Sequence, residues 1–159
     1  METFIPSTIT GYGYAHTLIS VLAIAAGIWA LIDGGRISAA RFSGKVFYGV
    51  SLIGILTGIT IFHHGGLGIG HGLSLLMLIC LAVGIFSSVK SLWLAEIIAS
   101  GLLFFLIWFF ATTETLTRVP LDHPFAASPT DPSLVPVRGI LLVILLVGLA
   151  LQYRKFRRR

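Results

Sequence analysis

The sequence predicts an all-α integral membrane protein. It reads as a single bundle, residues 1–159, of about five transmembrane helices, with the amino terminus outside the cytoplasm and the carboxyl terminus inside. Three observations carry this reading. Of 159 residues, 56% are hydrophobic and only 11% are charged, whereas charged residues make up about a quarter of a soluble domain. Five apolar runs each reach the roughly 20 residues that a helix needs to cross the hydrocarbon core. The lysines and arginines gather on one side of these runs, as basic residues do on the cytoplasmic face.

The first run spans 11–32 and stops at Asp33-Gly34-Gly35-Arg36, a conventional helix end. The segment before it has no basic start and contains Glu2 and Pro6, so the first run is expected to be a retained helix rather than a cleaved signal. The second run covers 46–63 and ends at His64-Gly65-Gly66. The third covers 70–88, the fourth 92–112 and the fifth 134–153. Each must be helical, because a backbone in hydrocarbon has to satisfy its own hydrogen bonds.

Arg36, Arg41, Lys45, Lys90 and the tail Arg154, Lys155, Arg157, Arg158 and Arg159 all fall on the predicted inner side. The other side receives Arg118 and Arg138 with Glu2, Glu114, Asp122 and Asp131. The formal charge of +5 therefore points to anionic lipid head groups and not to nucleic acid. A bacterial inner membrane is the expected location. The single cysteine, Cys80, lies inside an apolar run, which excludes an intramolecular disulfide and a CxxC metal or redox motif.

The connection 113–133 is the one long loop, and loops of that length are often functional; a plain solvated connector is the alternative.

All five histidines, His16, His63, His64, His71 and His123, fall at or near the predicted outer face. His16 lies about a turn inside the first span, where a polar side chain is costly without a partner. His63 and His64 end the second span and His71 opens the third. Adjacent residues point about 100° apart on a helix, so one of His63 and His64 at most faces the interior with His71. Imidazole ligates transition metals and haem iron, and helix bundles commonly house such sites. His16 and His71 are the preferred cofactor ligands, with His63 and His64 in reserve. Gly54 and Gly58 form a GxxxG pattern that admits a flat macrocycle or a neighbouring helix. The bland alternative is that these histidines only bond to water or carbonyls at the head-group boundary.

A second chemistry would use the outer loop, with His123 and Asp122 joining the span histidines around zinc in a metal-dependent hydrolase. No HExxH spacing supports it. Glu96 is the one carboxylate inside a span, towards the inner side. It is expected to pair with Lys90 or Arg41, the alternative being a proton relay or a cation site. Trp29, Trp93, Tyr12, Tyr14, Tyr48 and Tyr153 are assigned to the aromatic belts. Trp108 with Phe104, Phe105, Phe109 and Phe110 is read as packing, or as the wall of a cofactor or quinone pocket. Walker, Rossmann and GxSxG motifs are absent, which argues against ordinary soluble-enzyme chemistry.

His16 opening a span, the stretch Arg41-Phe42-Ser43-Gly44-Lys45-Val46-Phe47-Tyr48 leading into the next, and His71 opening the third together resemble small bacterial multi-pass proteins of the cytochrome b561 type. The resemblance covers His16 to Gly84 and implies haem b held by histidine. Proteins of that kind carry histidine pairs at both faces, whereas here Ala40 and Phe42 occupy the inner region, so at most one haem is implied. The leading expectation is a membrane protein that binds haem b or a transition metal such as zinc or copper at its outer face for electron transfer. The first alternative is a non-catalytic accessory or assembly subunit of a larger membrane complex; the second is a metal-dependent hydrolase or small transporter.

Overall fold

A computed structural model describes residues 11–60, 69–90, 92–120 and 123–158. Its elements are five helices, α1 (Gly11–Gly34), α2 (Phe42–Ile59), α3 (Ile69–Val89), α4 (Trp93–Leu116) and α5 (Val135–Arg157), with a 3₁₀ turn at Pro132–Leu134 before the last. All five are long and apolar enough to cross a membrane, so the fold is that of an integral membrane protein in contact with lipid. The amphipathic stripe of a soluble helix is missing because lipid and protein interior are both apolar.

Helices α1 to α4 form a ring. α1 packs on α2 and α4, and α3 packs on the same two, which sets α1 and α3 across the ring from each other. α5 lies outside, against α4, and none of its residues is buried. The α1 face that enters the ring consists of Ala23, Ala26, Gly27 and Ala30. Their i, i+3, i+4, i+7 spacing makes one stripe, and small residues let neighbouring backbones and rings come close. Phe47 of α2 and Phe104 of α4 fill that space, their rings 5.9 Å apart and edge to face. Both rings lie where a side chain on Gly27 would go.

The helices alternate in direction, which gives the bundle a basic end and a histidine end. At the basic end Gly35 takes φ +71°, and its amide donates to the Leu31 carbonyl at 2.7 Å, closing α1 with a left-handed cap. Asp33 then accepts from the Ser43 hydroxyl at 2.8 Å and faces Arg41 at 3.4 Å. Gly44 has no room for a side chain because the Ser38 backbone crosses it. This tight turn lets α2 begin at Phe42, earlier than the expected 46.

α4 continues to Leu116, a turn past the expected end. Thr115 and Thr117 return their hydroxyls to the carbonyls of Ala111 and Thr113, and Arg118 pairs with Glu114 at 2.6 Å, so polar side chains are absorbed by the helix itself. The long connection is also anchored to the end of α4. The Ala126 amide donates to the Leu116 carbonyl at 3.0 Å, and Ala126 and Leu134 are each 1% exposed. Arg138 donates to the Pro129 carbonyl and lies over the Phe109 ring at 4.9 Å.

Candidate functional site

His63, His64 and Asp122 lie outside the described residues. His123 is exposed in the connection after α4, and His71 is half-buried at the start of α3. His16 is half-buried on α1 and meets α2. The Thr57 hydroxyl gives its one proton to the carbonyls of Ile53 and Gly54, at 2.9 and 3.0 Å. It therefore accepts from the Nδ1–H of His16, 2.9 Å away, and in that tautomer Nε2 is left as the acceptor nitrogen. The imidazole packs on Gly58, where a Cβ would come within 3.1 Å of its Cε1. Gly54 likewise faces Ile19. Of the two occupants that the GxxxG pattern admits, the neighbouring helix α1 is the one beside it. His16 and His71 sit on helices that face each other across the ring, and among the described residues no three of His, Cys, Asp and Glu gather as a metal site.

The basic end holds a more developed constellation. Glu96, in the first turn of α4, is 1% exposed, which would be very costly for an unpaired carboxylate. Its Oε2 takes the Nε of Arg36 at 3.0 Å, and its other oxygen accepts from the Ser88 hydroxyl of α3. The expected partners are corrected here. Arg41 is engaged by Asp33, and Lys90 is exposed at the end of α3. Arg36 reaches Glu96 because Gly35 turns the chain back over the end of the bundle. The positive end of the α4 dipole adds a smaller favourable term for a carboxylate in the first turn.

Tyr48 is a second correction. It is not in an aromatic belt but 3% exposed inside the ring, its hydroxyl against Gly84, where a Cβ would come within 2.5 Å of it. Ser88 and Ser100 flank that hydroxyl, and the Glu96 carboxylate is near enough to act on it electrostatically. Yet the hydroxyls of Tyr48 and of Ser51, one turn further along α2, make no hydrogen bond of acceptable geometry among the described residues. Ser100 gives its own proton to the Glu96 carbonyl at 2.7 Å. Sequence reasoning missed Arg36, Tyr48, Ser51 and Ser88. The one signal it carried was the spacing of polar side chains on each helix, Tyr48 with Ser51 and Glu96 with Ser100, which puts each pair on one face.

Towards the histidine end the ring interior becomes apolar, with Ile55, Leu103, Leu106 and Ile107 buried. The polar constellation is thus one-sided. Arg36, 26% exposed at its side chain, stands between it and the basic end, and its guanidinium also lies 4.6 Å over the Phe156 ring of α5.

No family model, no curated protein and no solved structure matches this chain.

Proposed function

We propose that this chain is a small membrane protein that binds a monovalent cation, of the transporter class, with Glu96 as the working carboxylate and Arg36 as its displaceable occupant. The observation that carries the reading is a carboxylate 1% exposed whose counter-charge arrives from a connection at the bundle end and not from a neighbouring helix. An ionisable group within a span is costly and commonly marks a site. The buried hydroxyl of Tyr48, flanked by Ser88 and Ser100 and close to the carboxylate, adds an oxygen ligand of the kind hard cations take. Arg36 keeps a seat over Phe156 when it leaves the carboxylate, which lowers the cost of exchange. The apolar half above Ile55 makes this a site that loads from the basic end. By the distribution of lysine and arginine that end is cytoplasmic, in a bacterial inner membrane.

The test is thermal unfolding of the detergent-purified protein in lithium, sodium, potassium, ammonium and choline chlorides at equal ionic strength. One of the small cations raises Tm over choline in the wild type, and Glu96→Gln removes the difference. A wild type indifferent to all of them overturns the reading, leaves Arg36–Glu96 as a clamp within the fold, and puts the accessory-subunit reading first.

A second reading keeps haem b or a transition metal at the histidine end, with electron transfer as the function. It is favoured by the His16 tautomer. Histidines that ligate a metal donate their other ring N–H to a fixed acceptor, and Thr57 accepts from Nδ1 of His16, leaving Nε2 for a metal. His71 is the opposing ligand in this reading, with a quinone or a partner subunit as the redox partner. A reduced-minus-oxidised band that His16→Ala abolishes is the expected result; a colourless, metal-free preparation from haem-replete cells rules it out.

A further inference from the structure

The basic end carries more positive charge than the fold uses. Its two carboxylates among the described residues are taken, Asp33 by Arg41 and Glu96 by Arg36. Lys155 lies over the Phe156 ring with its Nζ against Gly35. Arg154, Arg157 and Arg158 then stand beside Tyr153 and line an open surface pocket of about 370 Å³, with no carboxylate in an ion pair with any of the three among the described residues.

The negative end of the α5 dipole amounts to roughly half a charge, far less than three guanidinium groups bring. Guanidinium binds phosphate through parallel N–H···O bonds. The depth is also marked. Tyr153 and Trp93 lie with ring centroids 5.9 Å apart, and paired aromatics of this kind sit at the head-group level.

What separates a lipid from a free phosphate is the surface beneath. Ile140, Ile144, Val147 and Leu151 fall on the same α5 stripe as Arg154 and Arg158, at successive steps of four and three residues. All four are more than half exposed, at 61, 61, 52 and 60%. An apolar track thus runs up one helix face to the cationic surface pocket, matching acyl chain below and phosphate above. We infer that Tyr153, Arg154, Arg157 and Arg158 form a binding site for the head group of an anionic phospholipid. This stands apart from the Glu96 reading.

Trp93 reports the site directly. In a Trp29→Phe, Trp108→Phe background, where Trp93 is the sole indole, the protein is reconstituted with brominated phosphatidylglycerol or brominated phosphatidylcholine at matched mole fraction. Quenching by the anionic lipid is several-fold the stronger, and Arg154→Gln, Arg157→Gln and Arg158→Gln together bring the ratio to about one. These side chains are at the surface, so an unchanged far-UV spectrum is expected, and the single variants lower the ratio stepwise. Equal quenching by both lipids in the parent, or a ratio that survives the triple variant, overturns the inference. So does a ratio abolished by inorganic phosphate but not by chloride of the same ionic strength, since the site then takes free phosphate.

Discussion

The Nε of Arg36 lies 3.0 Å from Oε2 of Glu96, joining the connection after α1 to the first turn of α4. The two partners are unequal, with side chains 26% and 2% exposed. That asymmetry decides what each substitution costs. Arg36→Ala leaves a carboxylate that is 2% exposed without its counter-charge, and removing one partner of a buried pair costs about 3–5 kcal/mol. Glu96→Gln leaves a guanidinium that can extend to the membrane surface, so its cost is smaller, on the order of 1 kcal/mol for the weakened hydrogen bonds. Thermal unfolding in detergent is expected to rank wild type, Glu96→Gln and Arg36→Ala in falling order. The double variant should lie above Arg36→Ala, and an Arg36→Ala protein as stable as wild type would contradict the pairing.

The five spans were legible because hydrocarbon imposes a length and a composition that need no tertiary information. Partner choice was not. Near Glu96 in sequence stands Lys90, and the pairing went instead to Arg36, because the positive φ of Gly35 and the absent side chain of Gly44 fold the first connection over the bundle end. Tyr48 misled for a related reason. A tyrosine two residues after Val46 looks interfacial when the span starts there, but α2 starts at Phe42, and that extra turn sets Tyr48 inside the ring. That His16, His71 and His123 share one end was legible from the alternation of the spans. Whether His16 and His71 approach each other depends on ring order, which periodicity does not report.

Tyr48 gives a prediction in which two outcomes mean different things. Its hydroxyl is buried and makes no hydrogen bond of acceptable geometry among the described residues, and removing such a group is close to neutral or stabilising unless a guest occupies it. Tyr48→Phe is therefore expected to keep or raise Tm in choline while losing part of the cation response. Gly84→Ala places a methyl within 2.5 Å of that hydroxyl oxygen, on a side chain too enclosed to swing away. It should destabilise by about 1–3 kcal/mol, the usual cost of overpacking, and Tyr48→Phe should recover much of it. Additive effects in the double-mutant cycle would place the clash elsewhere.

His16 and Thr57 make a bond whose tautomer can be read. With Thr57 accepting from Nδ1, nitrogen NMR of the selectively labelled protein is expected to show protonated Nδ1 and bare Nε2. Thr57→Val removes the acceptor and costs about 1 kcal/mol, and the tautomer should then relax towards a mixture. A protonated Nε2 in the wild type would reverse the donor assignment and remove the support it lends to metal binding.

The connection after α4 should loosen in acid. Asp131 receives the amides of Ser133 and Ala127, each at 2.9 Å, and these hydrogen bonds hold its carboxyl below the usual aspartate range. A folded value depressed below the unfolded one means that the stabilisation is complete above the unfolded value. It is lost as pH falls through the folded one. The turn that carries Pro132–Leu134 is thus intact near pH 5 and opens progressively below the ordinary aspartate value near pH 4. Pepsin cleavage around Phe125 and Leu134 measures this, because the enzyme works throughout that interval, Phe125 precedes the turn and Leu134 ends it. Cleavage, corrected for the enzyme's own pH profile on a peptide of the same sequence, should accelerate below pH 4 in the wild type. Asp131→Asn keeps a carbonyl oxygen but no charge, so it should already be cut faster at pH 5 and respond little to further acid. A wild type whose corrected rate is flat from pH 5 to pH 2 would show that the carboxylate does not hold the turn.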